Sequence, residues 1–341
     1  MRILVASWYV RPGFSGGWTT VLDLLQPRHV PAFLVAVGPE GNSDCEGVRV
    51  TGLPRRARLL RPWPLANRIR LLISGTALRG ALHRAFEQHG AALVLCLDEL
   101  MARGAMEAGL PYALRLHSCP SILERDAYRS VVSGALFATG SQPGIPGTVY
   151  LPHAVDLGRF EYAEPPRAEA AIMPTSLVEA EEPELFVKGV QGSSLRGTIV
   201  GDGPLREAIA SLCRASSGKV VLHPAVGRSR IPSLLSLHQI GVACLRQGWH
   251  TRYQMKVTEY QASGLFPLVQ PWSELAERAP DLTRTFRNAP ELSDGIDWVA
   301  ANWEKTLETR RRNREFARAN YDIESARNQL ESLLERVPSA T

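Results

Sequence analysis

The sequence predicts an α/β chain of two Rossmann-like domains, each built on a parallel sheet, with the two sheets facing across a cleft. Three observations carry that expectation. Short apolar runs alternate with helical stretches along nearly the whole chain, and RILVAS, AFLVAV, ALVLCL and YALRLH are apolar along most of their length, as strands buried on both faces are. The length of 341 residues exceeds what one hydrophobic core serves and suits two domains of about 150 residues each. The proline-rich stretch EYAEPPRAEA, residues 161–170, can continue neither a helix nor a central strand, and it reads as the linker between the halves.

In the first half, strands are expected near 2–8, 32–37, 48–53, 92–98, 112–117, 135–140 and 148–152. The first of these, MRILVASWYV, carries one arginine and no small-residue cleavage site, so it reads as a strand and not as a targeting peptide. In the second half, strands fall near 170–176, 196–201, 219–223, 240–245 and 266–270, with helices at 204–215, 230–238 and 254–263. Residues 301–336 are polar and arginine-rich, with Trp303, Phe316, Ala319, Ile323, Ala326, Leu330 and Leu333 at helical spacing. The resulting division is an N-terminal Rossmann-like domain over 1–160, a C-terminal one over 161–305, and closing helices over 306–341.

The composition, 45% hydrophobic and 21% charged, is globular, and no segment approaches the ~18 consecutive apolar residues of a transmembrane helix. A cytoplasmic protein is expected. The five cysteines are scattered, odd in number and never in a CxxC pair, which argues against a disulfide framework and a zinc site and for small core residues. The net charge of +5 raises the local concentration of anionic partners, among which phosphorylated small molecules, anionic lipid and nucleic acid all fit.

In open α/β sheets ligands bind at the carboxyl ends of strands, so the chemistry is expected on strand-to-helix loops. After the first strand, Gly16 and Gly17 open an amphipathic helix whose exposed N–H groups suit an anion, although a tight turn without ligand uses the same glycines. In TIVGDGPLREAI, Gly201 and Gly203 let the chain reverse over a strand end, with Asp202 able to cap the helix behind Pro204. In KVTEYQASGLFPLV, Lys256 and Glu259 stand three apart on one helix face; a carboxylate suits the paired hydroxyls of a ribose and an ammonium suits a neighbouring diphosphate. Gly248, Arg246 and Arg252 lie just before that helix, and Tyr260 follows Glu259. His117 ends the strand YALRLH, where a polar side chain faces the cleft. Arg55, Arg56, Arg58, Arg61 and Trp63 begin an arginine-rich stretch, 55–72, whose chemistry suits an anionic membrane surface or a polyanionic acceptor such as nucleic acid, or a solvated edge of the cleft.

Taken in order, these pieces resemble the retaining glycosyltransferases of family 4, which have the two-domain GT-B architecture. MRILVASWYVRPGFSGGWTTVLDLL resembles the first strand and Gly-Gly loop of that family, RLHSCP its strand ending in His, and LPHAVDLGRF its crossing segment. IVGDGPLREAI matches its Val-Gly-x-Gly-Pro strand end, and LRQGWHTRYQMKVTEYQASGLFPLV its donor-binding block. The tail REFARANYDIESARNQLESLL is similar to closing helices that cross back to the N-terminal domain.

The resemblance implies a donor pocket lined by Gly201, Asp202, Gly203, Gly248, Thr251, Glu259 and Tyr260, with Glu259 on the ribose hydroxyls. Gly16 and Gly17 would face the donor phosphates and acceptor, His117 the transferred sugar, and Arg246, Arg252 and Lys256 the leaving diphosphate, with no metal or other cofactor. Two positions depart from the pattern. Thr251 stands where the family has an acid eight residues before the ribose-binding Glu, and AIMPTSLVEAEEPELFVKG offers Thr175, Ser176 and a run of acids where the family has Arg and Lys.

The expected activity is therefore that of a hexosyltransferase, moving a sugar from a nucleoside diphosphate to a hydroxyl acceptor with retention, in the cytoplasm or peripherally at the inner membrane face. A non-catalytic nucleotide-sugar-binding subunit and a nucleotide-sugar epimerase of the same architecture are the alternatives.

Overall fold

The structure is a computed structural model that describes residues 1–7, 16–35, 41–45, 48–52, 67–116, 135–138, 148–151, 154–160, 162, 170–248 and 254–337. The chain divides into two compact units, Met1–Ala154 with Ile323–Thr341, and Val155–Asp322. The first junction lies ahead of residue 160 because Val155, Leu157 and Phe160 already pack in the second unit's core. The second lies beyond 305 because the helix Leu307–Tyr321 buries Ala317 in that same core.

In the first unit, β1 (Arg2–Ser7), β2 (Val30–Val35), β3 (Gly41–Cys45), β4 (Val48–Gly52), β5 (Leu93–Cys96), β6 (Tyr112–Leu116), β7 (Ala135–Ala138) and β8 (Val149–Tyr150) form a sheet among the described residues. Its order is β3-β4-β2-β1-β5-β6-β7-β8, parallel except for β3 against β4. Helices α1 (Gly16–Leu25), α2 (Asn67–Gln88) and α3 (Glu99–Glu107) alternate with the strands. Along β1, Ile3 and Val5 join one core while Leu4 and Ala6 join the other, which is why this strand reads as continuously apolar.

The second unit holds β9 (Ala170–Thr175), β10 (Arg196–Gly201), β11 (Val220–His223), β12 (Ile240–Ala243), β13 (Phe266–Val269) and β14 (Arg284–Thr285) in the parallel order β11-β10-β9-β12-β13-β14. Between and after them come α4 (Pro183–Gly192), α5 (Arg206–Ala215), α6 (Ile231–Leu235), α7 (Met255–Ser263), α8 (Glu274–Arg278), α9 (Ala289–Ala301) and α10 (Leu307–Tyr321). The last helix, α11 (Ile323–Leu334), belongs to the first unit, where Ile323, Ala326, Leu330, Leu333 and Leu334 share a core with Val21 and Leu25 of α1. Arg28 fixes it there, through Glu324 at 2.8 Å, Asn328 at 2.8 Å and Glu331 at 2.6 Å. Two α/β sheets thus stand where the alternating pattern expects them, one in each unit. Among the described residues, no helix is long and apolar enough to cross a membrane. Cys96, Cys213 and Cys244 are buried free thiols.

Candidate functional site

Strand order reverses where β9 pairs with β10 on one side and β12 on the other, the kind of point at which an open α/β sheet forms a ligand crevice. The ladder between β9 and β12 runs over two residue pairs, Ile240 with Ala171 and Gly241 with Ile172. Beyond them the two strands run on to Thr175 and Ala243; the loop after Ala243 carries Arg246 and Gly248 and leads to α7, which carries Lys256, Glu259 and Tyr260.

The loop after β9 turns back on itself through a single 3-10 turn, Glu179–Glu181, bracketed by two non-glycine residues in the left-handed region, Leu177 at φ 47° and Glu182 at φ 40°. Its Glu181 meets Lys256 of α7 in an ion pair of 2.6 Å, with the two side chains only 21% and 12% exposed. The same carboxylate oxygen, Oε2, accepts the Thr175 hydroxyl at 2.6 Å and the Ser176 N–H at 3.2 Å. Burial alone pushes the Glu181 carboxyl upward, but the Lys256 ammonium and these two hydrogen bonds outweigh it and hold the group below the ordinary carboxylate range. In this structure the Lys256 ammonium is therefore paired with a carboxylate of its own chain.

Arg246 follows the same logic more loosely. Its backbone N–H donates to Ala180 at 2.8 Å, and its guanidinium lies 3.5 Å from Glu179 with both side chains largely exposed. A third link ties the turn to the next strand: the Gln270 side-chain amide donates to Glu182 at 2.8 Å while its oxygen accepts the Leu245 N–H.

Gly201 and Gly203 make room for this loop. A Cβ on Gly201 would lie 1.8 Å from the Thr175 carbonyl oxygen, and one on Gly203, at φ 154°, would lie 2.0 Å from that of Ser176. The space that these glycines open is thus filled by the chain's own backbone. Asp202 accepts the N–H of the adjacent Gly203 at 2.8 Å and does not cap the helix, which begins at Arg206 behind an N-cap residue, Leu205, that makes no side-chain cap. Gly248 sits at φ 81°, with no described residue within 4 Å of where a Cβ would point.

On α7, Glu259 is 6% exposed, one turn along from Lys256. Tyr260, expected at the donor, is instead a core residue. It is 0% exposed, its hydroxyl donates to the Val242 carbonyl at 3.0 Å, and its ring packs over Gly241, where a Cβ would fall 2.2 Å from it. Its neighbour Gln261 donates to Asn313 of α10 at 2.8 Å, and residues Val257 to Ser263 of the helix are all buried.

Gly16 and Gly17 are the first residues of α1, in the first unit. His117, Thr251, Arg252, Arg55, Arg56, Arg58, Arg61 and Trp63 lie outside the described residues. Two residues before His117, Arg115 is buried on β6, and burial lowers its guanidinium to about 10. Among the described residues, no group of three or more His, Cys, Asp and Glu could hold a metal ion.

Sequence reasoning missed the contacts that Glu181 and Arg228 make with α7. Arg228 follows β11 and brings its guanidinium 3.9 Å from the sulfur of Met255, the first residue of α7. The run EAEE is visible in the sequence, but nothing local says that its third member reaches a lysine 75 positions away.

No family model and no curated protein matches the chain. Solved structures share its fold. HepE from Anabaena, in complex with UDP, is 12% identical, with 99% of this chain and 100% of that chain covered and a TM-score of 0.71. The same protein has also been solved with UDP-glucose. A sucrose-phosphate synthase from Thermosynechococcus elongatus is 13% identical over 98% of each chain, with a TM-score of 0.74. A UDP-forming trehalose-phosphate synthase from Burkholderia xenovorans is 11% identical, covering 98% of this chain and 99% of that one, with a TM-score of 0.70.

Proposed function

We propose that the chain is a glycosyltransferase that moves a sugar from a nucleoside diphosphate to a hydroxyl acceptor, with Glu259 accepting the pentose hydroxyls of the donor. The observation that carries this reading is the constellation at the β9/β12 reversal. The Gly201–Gly203 turn rests on Thr175 and Ser176, these bond Glu181, Glu181 bonds Lys256, and Glu259 follows one turn along the same helix. Support also comes from the fold, shared with proteins solved with UDP and UDP-glucose.

In this reading transfer proceeds with retention and without a metal ion. Cationic side chains from the Arg246–Lys256 block, Arg252 among them, stabilise the charge that develops on the departing diphosphate. The arginine-rich stretch 55–72 makes a lipid-linked or polyanionic acceptor at a membrane surface the reading for the other substrate.

A second reading, a nucleotide-sugar-binding subunit without turnover, is favoured by one observation: Lys256 and Arg246 already face Glu181 and Glu179. The experiment that decides is incubation with a panel of nucleotide-sugars and hydroxyl acceptors, followed by mass and NMR analysis of products. A glycosylated acceptor plus free nucleoside diphosphate supports the transferase. An isomerised donor would point to an epimerase, and a bound but unchanged donor to the non-catalytic subunit.

A further inference from the structure

Three hydrogen-bond donors of different kinds converge on one anionic oxygen in the second unit: the Lys256 ammonium at 2.6 Å, the Thr175 hydroxyl at 2.6 Å and the Ser176 backbone N–H at 3.2 Å, all on Glu181 Oε2. A cation, a hydroxyl and a main-chain N–H around one oxygen are the donors that a phosphate oxygen takes. They stand at the carboxyl end of β9, at the strand-order reversal.

The backbone that carries them is anchored without the Glu181 side chain. Thr175 ends β9, and its hydroxyl oxygen also accepts the Leu177 N–H at 3.3 Å; Lys256 lies in the first turn of the buried helix α7. The backbone of the turn that presents Glu181 is likewise tied down elsewhere, by Leu205 N–H on the Leu177 carbonyl at 3.0 Å and Arg246 N–H on the Ala180 carbonyl at 2.8 Å. What can leave is the Glu181 side chain itself, which is 21% exposed and so has a route to water by rotation about its own bonds.

We propose that Thr175, Ser176 and Lys256 form a phosphate-oxygen site, and that Glu181 fills it in the ligand-free protein as an internal stand-in that an incoming phosphate group must displace. Combined with the transferase reading above, on which this part rests, the ligand group is a phosphate of the nucleoside diphosphate. The carboxylate occupies all three donors while the site is empty. It also sets a threshold, because a ligand must offer more charge and more acceptor oxygens than one carboxylate does. A neutral or singly charged small molecule would leave Glu181 in place.

The test uses the full chain with inorganic pyrophosphate, UDP and uridine as probes, followed by calorimetry and thermal shift, in the wild type, Glu181→Gln and Glu181→Asp. Removing the competing charge is expected to tighten pyrophosphate and UDP binding about tenfold or more, equivalent to about 1.4 kcal/mol, with uridine unchanged. Pyrophosphate should raise the melting temperature of Glu181→Gln more than that of the wild type, since it restores a counter-ion to Lys256. Glu181→Asp, which keeps the charge but shortens the reach, should give an intermediate gain and serves if the Gln variant does not fold. Adding Lys256→Met should abolish the gain. Pyrophosphate binding that is absent, unchanged or weaker in both Glu181 variants would overturn the proposal, even where the wild type binds UDP and the transferase reading stands. Tighter pyrophosphate binding with no affinity for UDP or any nucleotide-sugar would uphold the site and overturn the transferase reading instead.

Discussion

His238 shows how far a single side chain can be read from its contacts. It is 7% exposed, its Nδ1 lies 2.8 Å from the Leu234 carbonyl and its Nε2 3.1 Å from the Thr198 hydroxyl, an arrangement that fits a neutral ring donating at Nδ1 and accepting at Nε2. Burial lowers its affinity for a proton below the ordinary histidine value. The unfolded chain therefore binds the proton more readily, so His238 contributes stability above about pH 6.5 that is lost as pH falls through its lower folded value. Melting temperatures measured from pH 7.5 to 5 should decline, and His238→Gln should flatten part of that decline; parallel curves would show that another group is responsible. Lys256 makes a second prediction at this scale. Replacing it with Met leaves Glu181 partly buried without its cation, and such losses cost about 3–5 kcal/mol, which chemical denaturation would register. Lys256 and Glu259 are legible in the sequence because helical spacing puts them together. Glu181 is not, since its partner lies 75 positions away.

At the scale of elements, glycines decide how closely helices and loops approach the second sheet. Gly241 on β12 lets the Tyr260 ring lie against the strand, and Gly201 lets the Thr175 carbonyl pass over β10. Gly201→Ala meets main chain, which cannot rotate away as a side chain can, so it should destabilise the protein at the upper end of the ~1–3 kcal/mol typical of overpacking or beyond. Gly241→Ala, which meets a ring, should do so too; a melting temperature within a degree or two of wild type for both would contradict the packing described. Most strands are legible, because runs buried on both faces are predominantly apolar. One strand that sequence reasoning did not anticipate had a physical reason to hide. The strand β3, GNSDC, has no apolar run and pairs antiparallel at the sheet edge. In the helix α4, PELFVKGVQG, Gly189 leaves room for Leu292 of α9 that a Cβ would fill at 2.5 Å.

At the scale of the whole molecule, the chain makes two units and returns its last helix to the first of them. Leu330 of α11 is 1% exposed beside α1, so Leu330→Asp should lower the stability of the first unit, and limited proteolysis should then cut residues 1–154 before 155–322. Domain count and the alternation of strands and helices were readable from length and pattern alone. The junctions were not, because the residues that fix them, Val155 and Ala317, announce their side only through packing. The central claim is that the carboxylate of Glu259 holds the pentose of a nucleoside diphosphate. Its most direct measurement is a calorimetric titration of UDP, GDP and ADP, each with its 2′-deoxy counterpart, into wild type and Glu259→Ala. The account predicts that at least one ribonucleotide binds, that its deoxy form binds about tenfold more weakly or worse, and that Glu259→Ala erases the difference. Equal affinity for both sugars in the wild type, or ribonucleotide binding untouched by the substitution, would contradict it.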